Sequence, residues 1–237
     1  DDGQGKIILY LENFAQKYEV NFCAEKRENP LIEAALEMVP LPKNLSLEIS
    51  IHSDMPAGAS TGTSAAITVA LIGALDALSD GRLAVAEVAR LAHAVETTKL
   101  GQQSGIQDQL ASAFGGINFI EMQQYPYATV SPVAVPNAIW WELEQRLTLV
   151  YDGKPHNSSA IHQMVIKRLG DNARDNEHLV NLRSFARLAK DMLCKGDFAG
   201  FGAAMNANTA EQEAMHPDLV NDHFRAIIEI GQHYGCV

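Results

Sequence analysis

The first half of the chain alternates between short strand patterns and helix patterns. Apolar and polar residues alternate at 45–52, and Tyr18, Val20 and Phe22 lie at every second position, which predicts strands at 45–52 and 17–22. Strands are also predicted at 6–11 and 117–122. The segments between them carry apolar residues at helical spacing, which predicts helices at 30–36, 65–78, 83–97 and 106–114. Asn29 as a cap and Pro30 at the first helical position support the start of the first of these helices.

The second half is predicted to be almost wholly helical. A run rich in Pro, Ser and Val at 125–136 favours an edge strand or a connection, and 147–152 has a strand pattern. Helix patterns then occupy 159–169, 176–195, 197–214 and 217–234. Strands gathered in one half and helices in the other indicate an α+β protein rather than an alternating parallel sheet.

Charge and composition narrow the function classes. The formal net charge is −11 and no Lys/Arg cluster is interleaved with aromatic residues, so we expect no nucleic-acid partner. No apolar run is long enough for a bilayer and no signal-peptide pattern opens the sequence, so we expect no membrane partner.

The three cysteines are far apart, which indicates free thiols in a reducing cytoplasm. The histidines, His93 among them, share no metal-binding spacing and are interpreted as scattered residues.

The most informative stretch is 56–66, which reads Pro-Ala-Gly-Ala-Ser-Thr-Gly-Thr-Ser-Ala-Ala between a predicted strand and a long predicted helix. Glycines let the backbone approach a ligand, and the first turn of a helix offers unpaired N–H groups and the positive end of the dipole, as a phosphate chain requires. Thr61, Thr63 and Ser64 add hydroxyl donors, one of which can ligate the Mg²⁺ that accompanies ATP. The alternative is a helix entry that only caps the helix. It is not the G-x-x-x-x-G-K-[ST] P-loop, because no lysine follows.

Two later stretches, taken with this loop, carry a family resemblance. After Glu96 come 104–109, Ser-Gly-Ile-Gln-Asp-Gln, and 114–119, Phe-Gly-Gly-Ile-Asn-Phe. Together they resemble the superfamily of galactokinase, homoserine kinase, mevalonate kinase and phosphomevalonate kinase, whose loop P-x-G-x-G-L-G-S-S-A-A has Ser60 and Thr61 here in place of Gly and Leu. The second stretch is similar to the G-x-x-D-Q of sugar kinases, and the third resembles bacterial heptose-phosphate kinases. The resemblance is dense from about residue 30 to 122 and thinner beyond.

For the fold, the resemblance implies two domains with the active site between them. Residues 1–145 are expected to form a ribosomal-protein-S5-like domain, and residues 146–237 a helix-rich domain of ferredoxin-like type. The superfamily usually also has an N-terminal Arg/Gly substrate motif and a C-terminal Gly-rich loop. Neither motif is in the sequence, so we expect that both ends are missing and that the second domain is incomplete.

For the site, the resemblance implies ATP and Mg²⁺ as cofactors. Ser64 and Glu96 are expected to hold Mg²⁺, and Asp108 is expected to accept or orient the proton of the attacking hydroxyl. The residues expected to bind the nucleotide are Pro56, Gly58, Ala59, Ser60, Thr61, Gly62, Thr63 and Ser64. Apart from the resemblance, a second loop before a predicted helix offers donors to a phosphate on the acceptor. The residues expected to bind the substrate are then Gly105, Asp108, Gln109, Gly115, Gly116, Lys154, Ser158 and Ser159.

Each assignment has a simpler alternative. Glu96 can be a solvated acid at a helix end, although its charge is unfavourable near a C-terminus. Asp108 can merely stabilise the N-terminus of the helix that begins at 106. Gly115 and Gly116 can be only a helix stop, and the loop at Lys154 only a cap.

The sequence therefore predicts an ATP- and Mg²⁺-dependent kinase acting on a hydroxyl of a small sugar or sugar phosphate, most specifically a heptose phosphate. One alternative is a kinase for another sugar or alcohol, such as galactose, fucose or a mevalonate-like compound. Another is a non-catalytic sensor that binds ATP and sugar to regulate a partner. Ser64, Glu96 and Asp108 together argue against a sensor, which needs no base and metal ligand in combination. The sequence specifies neither the sugar nor the oligomeric state.

Overall fold

The computed structural model describes residues 5–42, 44–56, 58–79, 81–151, 153–154, 158–170 and 176–236. The chain divides into two compact units, 1–116 with 122–129 and 117–121 with 130–237. These are units of packing, and the domain limits 1–145 and 146–237 stay a prediction.

The first unit contains the strands and helices predicted between residues 6 and 114. In chain order its elements are β1 (Ile7–Leu11), β2 (Gln16–Glu19), α1 (Pro30–Leu36), β3 (Leu47–Ile51), α2 (Thr63–Leu78), α3 (Val85–Ala94) and α4 (Gln107–Phe114). Asn29 caps α1 as expected, because its side chain accepts a hydrogen bond from the Ile32 N–H. The predicted helix 83–97 differs from the structure: α3 ends at Ala94, and a π-helical turn, Val95–Lys99, continues the chain.

A mixed three-stranded sheet with the order β2-β1-β3 carries the core of this unit. Leu9 at its centre is opposite Tyr18 in the antiparallel pair and opposite Ile49 in the parallel pair. The core residues are apolar side chains of β1, α1, α2, α3 and the π turn, and include Leu9, Leu11, Ile32, Leu36, Ile72, Leu75, Ala92 and Val95. Burial of this apolar surface is the main force that holds the helices of the unit on the sheet.

One carboxylate lies inside this core. Glu33 of α1 is 3 % exposed, and its Oε1 accepts hydrogen bonds from the Tyr18 hydroxyl at 3.0 Å and from the Asn29 N–H at 2.8 Å. Burial, the hydrogen bond to Glu33 and the charge of Glu33 together raise the pKa of Tyr18 well above its ordinary value of 10.0. The tyrosine therefore stays protonated in the folded chain at pH values where it ionises in the unfolded chain.

We expect Tyr18→Phe to be less stable than the wild type near neutral pH, with the difference shrinking as the pH rises above about 10. A raised pKa in the folded state gives stability that is complete below the unfolded pKa and is lost as the pH rises toward the folded one. Melting temperatures of the wild type and Tyr18→Phe at pH 8 and pH 11 measure how the stability difference changes with pH. Tyr234→Phe, at a side chain that is 81 % exposed, is the control. A difference that is constant across pH would contradict the assignment.

The remaining elements are a two-stranded sheet and five helices. They are β4 (Asn118–Gln124), β5 (Tyr127–Pro132), α5 (Asn137–Arg146), α6 (Ser158–Leu169), α7 (Glu177–Lys195), α8 (Phe198–Met215) and α9 (Asp222–His233). The predicted strand at 147–152 is wrong over its described residues, 147–151, which are irregular and mostly exposed. Helix α5 was not predicted. The Arg146 side chain binds Glu142 one turn away and lies 5.0 Å above the Phe198 ring, which helps to fix its last turn.

Helices α7 and α8 form a tight antiparallel pair in the second unit. Gly196 ends α7 in the left-handed conformation and Asp197 caps α8, so the chain reverses within two residues. At the other end of the pair, Glu211 binds His178 at 2.6 Å and Asn181 at 2.8 Å. The His178 hydrogen bond is the main reason why the pKa of Glu211 is lowered. None of the helices within the described residues has the length and apolar character that crossing a membrane requires.

Candidate functional site

The loop before α2 has the backbone conformation of a ligand-binding turn. Gly58, Ser60 and Gly62 all have positive φ angles, of 77°, 57° and 69°. At Ser60 this conformation is strained, since it is uncommon for residues other than glycine, and such strain is concentrated at functional sites. Gly62 is the N-cap of α2 and has no side chain to cap it, so the first turn is open to a ligand.

A cavity of about 470 Å³ lies beside this loop, within the first unit. Its polar lining residues are Thr61 and Thr63, whose hydroxyl oxygens are 3.0 Å apart, together with Ser50, His52 and Ser53. The rest of its lining comes from β3, the residues after it, and one face of α2, and includes Ile49, Ile51, Met55, Ala66, Ile67 and Ala70. The cavity is thus mainly apolar, with polar residues from the loop and from β3 and the residues after it.

Asp108 lies against the loop. It is in the first turn of α4 and is exposed. A Cβ atom added to Gly62 would lie 3.3 Å from the Asp108 Cγ and 3.5 Å from its Oδ2. A side chain at position 62 would therefore press on the carboxylate, and the two central sequence motifs meet at this point.

Glu96 is buried and held by two neighbours. It lies in the π turn, is 5 % exposed, and its Oε2 accepts hydrogen bonds from the Ser104 hydroxyl at 2.6 Å and the Gln109 amide at 3.0 Å. Gln109 is next to Asp108 in sequence, so the Glu96 cluster and the Asp108 carboxylate share helix α4. The solvated-acid alternative for Glu96 does not agree with this burial.

Gln109 is buried beneath the site and holds the Glu96 carboxylate. Its side chain is 1 % exposed, which favours holding Glu96 over the predicted contact with substrate. Its Oε1 is buried and has no hydrogen-bond partner among the described residues. Such an orphaned acceptor is expensive unless another donor, such as a water molecule, reaches it.

The donor chemistry here fits Mg²⁺. A carboxylate, an orphaned amide oxygen and the hydroxyls of α2 are hard oxygen donors, and Mg²⁺ binds in proteins through one or two carboxylates while it keeps several waters. Ser64 is the second residue of α2 and is exposed, as a ligand near the loop would be. Within the described residues there is no group of three or more His, Cys, Asp or Glu side chains suited to a metal ion.

Two residues that sequence reasoning did not assign anchor Ser104. Its carbonyl oxygen accepts a hydrogen bond from the Tyr125 hydroxyl at 2.9 Å and is 3.2 Å from the His93 Nε2. Tyr125 and His93 also contact each other, with 3.1 Å between the hydroxyl and Nε2. The sequence places these residues 11 and 21 positions from Ser104 without a shared motif, so it gives no signal for this cluster.

The glycines predicted to contact substrate have local structural roles. A Cβ at Gly105 would overlap the Gln107 side chain, at 2.1 Å from its Oε1. Gly115 ends α4 with a φ of 65°, and its N–H donates to Ala111, as a helix stop requires. Gly115 and Gly116 are exposed and nothing lies within 4 Å of a Cβ added to either, so a ligand has room there. Substrate contact by these glycines stays a prediction.

The second predicted phosphate site lies in the second unit. Helix α6 begins at Ser158, close to the predicted start, and Lys154 is exposed four residues earlier. The side chains of Ser158 and Ser159, and the whole of 155–157, lie outside the described residues. Substrate binding by Lys154, Ser158 and Ser159 therefore stays a prediction.

Comparison with known proteins identifies the class. Residues 29–116 match the family model described as "GHMP kinases N terminal domain". This part of the chain thus matches the N-terminal domain of the kinases to which the sequence was found similar, and the resemblance is confirmed over these residues. The match spans α1 to the end of α4 and includes the loop, Glu96 and Asp108.

Two curated relatives illustrate the range of similar proteins. The chain is 28 % identical over 188 residues to D-glycero-alpha-D-manno-heptose 7-phosphate kinase of Campylobacter jejuni, which covers 79 % of this chain and 55 % of that protein. It is 40 % identical over 120 residues to mevalonate kinase of Pyrococcus furiosus, which covers 51 % of this chain and 34 % of that protein. The chain therefore spans about half, or less, of the length of these relatives.

Solved structures of the same superfamily share the fold. A D-glycero-D-manno-heptose 1-phosphate kinase from Bacteroides thetaiotaomicron aligns with a TM-score of 0.68 at 24 % identity, over 88 % of this chain and 64 % of that one. The mevalonate kinase of Methanococcus jannaschii aligns with a TM-score of 0.67 at 20 % identity, over 99 % and 73 %. The chain thus has the GHMP kinase fold, mixed in α and β and rich in helix.

Proposed function

We propose that this chain is an ATP- and Mg²⁺-dependent kinase that transfers a phosphoryl group to a hydroxyl of a small sugar or sugar phosphate. The observation that carries the proposal is the approach of Asp108 to Gly62. It brings a carboxylate to the mouth of a loop suited to phosphates, and phosphoryl transfer needs little more than in-line positioning and charge stabilisation there. The S5-like and ferredoxin-like descriptions of the two domains are part of this proposal.

ATP would lie along the loop and the adjoining cavity. The open first turn of α2 and the backbone from Gly58 to Gly62 would hold the phosphates. The cavity of about 470 Å³ has the apolar walls and few polar groups typical of small-molecule sites, and would take the base. Thr61 and Thr63 lie between the loop, which would hold the phosphates, and the cavity, which would take the base.

Ser64 and Glu96 would hold the metal ion. The charge of Mg²⁺, when bound, neutralises the developing negative charge on the transferring phosphoryl group. Two donors, the Ser104 hydroxyl and the Gln109 amide, occupy the Glu96 Oε2. Its Oε1 is therefore the oxygen proposed for the ion or its waters. Ser64 would supply a hydroxyl from the first turn of α2.

Asp108 would orient the acceptor hydroxyl and take its proton at a carboxylate oxygen. Its exposure allows contact with substrate, and its place against Gly62 keeps it within reach of the transferring phosphate. A helix-stabilising charge alone needs no such contact with a loop from another part of the chain. A sensor that only binds ATP and sugar would have no use for a carboxylate placed against the phosphate loop.

A heptose phosphate is the acceptor we favour. The Phe-Gly-Gly-Ile-Asn-Phe run and the match over 188 residues to a heptose 7-phosphate kinase support it. Mevalonate is the second candidate, because several archaeal mevalonate kinases match between a third and just over half of this chain at 40 % identity. A coupled assay of ADP release, run with heptose phosphates, hexoses, hexose phosphates and mevalonate, separates the two. Turnover with none of them, despite nucleotide binding, would favour the sensor.

If the acceptor carries a phosphate, we expect Lys154→Ala to raise KM for that acceptor by about 10-fold and to leave KM for ATP unchanged. Lysine binds phosphate as a point charge, and losing one charged contact has roughly this effect. Steady-state kinetics with each substrate varied in turn measure both constants.

Lys167→Ala is the matched control, since it removes an exposed lysine from the other end of α6. A rise in KM for ATP would assign Lys154 to the nucleotide. No change in either constant would leave the residues around Lys154 as a helix entry only, and would remove one support for a phosphorylated acceptor.

A further inference from the structure

Ser104 connects the Glu96 carboxylate to a polar cluster that the kinase chemistry does not use. Its hydroxyl donates to Glu96 at 2.6 Å, and its carbonyl receives the Tyr125 hydroxyl at 2.9 Å. The side chain and the main chain of one residue are thus both held by hydrogen bonds.

The two residues that hold the carbonyl come from separate elements. His93 is in the last turn of α3 and is 5 % exposed, whereas Tyr125 follows β4 and is 49 % exposed. Their rings meet edge to face, with centroids 5.6 Å apart at 74°. The His93 carbonyl also accepts the Thr97 hydroxyl at 2.9 Å, which ties the histidine to the turn that carries Glu96.

Burying polar groups in such a cluster costs free energy that purely apolar packing would avoid. His93 is buried, so its imidazole needs polar partners, whereas an apolar side chain there would fill the same space without them. What an apolar side chain could not do is bind the Ser104 carbonyl and so hold in place the residue whose hydroxyl donates to Glu96. The cluster is therefore better suited to orienting a carboxylate than to filling space.

We propose that Tyr125 and His93 are positioning residues for Glu96 and act through Ser104. This inference rests on the proposed function, in which Glu96 holds the metal ion. With Ser104 fixed, Ser104 and Gln109 occupy the Glu96 Oε2 and direct Oε1 toward the ligand. Partners that orient a ligand in this way are commonly worth 10- to 100-fold in metal affinity.

The test replaces Tyr125 by Phe, which removes one hydroxyl and keeps the ring. We expect the Mg²⁺ concentration for half-maximal binding of a fluorescent N-methylanthraniloyl ATP analogue to rise by about 10-fold. Affinity for the analogue without Mg²⁺ should not change. Hydrogen exchange of residues 100–106 in the ligand-free chain should become faster, which gives a readout independent of nucleotide.

Tyr127→Phe is the matched control, because that residue is on the same hairpin and is 66 % exposed. It should change neither quantity. His93→Gln retains a side-chain donor and should resemble the wild type more closely than His93→Leu does. Circular dichroism of each variant verifies that it is folded.

Two results would overturn the inference alone: Mg²⁺ dependence that Tyr125→Phe leaves unchanged, or unchanged exchange of residues 100–106. Faster exchange with unchanged Mg²⁺ dependence would make the cluster a structural clamp only. A wild-type chain whose nucleotide binding does not depend on Mg²⁺ would overturn the proposed function as well, and the two failures are thereby distinguished.

Discussion

Replacing Asp108 by Asn is expected to lower kcat by about 10²- to 10⁴-fold, the usual worth of a positioned acid or base. The amide has nearly the same size and can still lie against Gly62, but it cannot accept the proton of the acceptor hydroxyl. Binding of ATP should remain close to the wild-type value, because the loop and α2 are unchanged. Single-turnover measurements at saturating ATP, together with nucleotide titrations, separate the two effects.

The matched control for this variant is Asp222→Asn. Asp222 is also an aspartate in the first turn of a helix, α9, and its side chain is 98 % exposed. If charge at a helix N-terminus were the whole role of Asp108, both variants should lose a little stability and keep their activity. Wild-type turnover in Asp108→Asn would exclude the catalytic role, and loss of ATP binding would make the residue structural.

The second large effect is expected at the metal site. Glu96→Gln keeps the shape of a buried side chain that is hydrogen-bonded to Ser104 and Gln109, but removes its charge. We expect the Mg²⁺ concentration for half-maximal rate to rise by about 10-fold or more, since Mg²⁺ depends on carboxylate ligands. Ser64→Ala should raise it as well, by a smaller factor.

The double variant reveals whether the two residues share one ion. If they do, Glu96→Gln combined with Ser64→Ala should have a smaller effect than the two single effects added in free energy. Ser79→Ala, at the opposite end of α2, is the control for loss of a serine hydroxyl from this helix. Strict additivity with unchanged Mg²⁺ dependence would show that the residues act separately and not on a shared ion.

Most elements of the first unit could be predicted because the apolar side chains of each element repeat with the period of a helix or of a strand. The strand at Ile49 alternates, and α2 and α3 place apolar residues in the core. The failed strand at 147–151 shows the limit of this reasoning. A strand pattern indicates which residues could face a core. A strand forms only where a neighbouring strand makes hydrogen bonds with its backbone.

The site could be predicted where its residues are adjacent in sequence. The loop and the run around Asp108 are local motifs, and their meeting at Gly62 agrees with the chemistry assigned to them. Roles that depend on burial could not be predicted. Gln109 follows Asp108 in the motif but turns inward to Glu96, and only the folded chain reveals which of two neighbours on a helix faces the core.

The π turn at Val95–Lys99 makes the length of the chain between His93 and Ser104 as important as its composition. In this turn the Leu100 N–H bonds the Val95 carbonyl, five residues back, so the turn contains one residue more than an α-helical turn. Each residue of a helix rotates the chain by about 100°. Loss of a single residue here would turn Ser104 away from both of its anchors, whereas a substitution at exposed Thr98 would leave them in place. Relatives that align across this stretch without a gap should therefore retain the geometry around Glu96 even where few of its residues are the same.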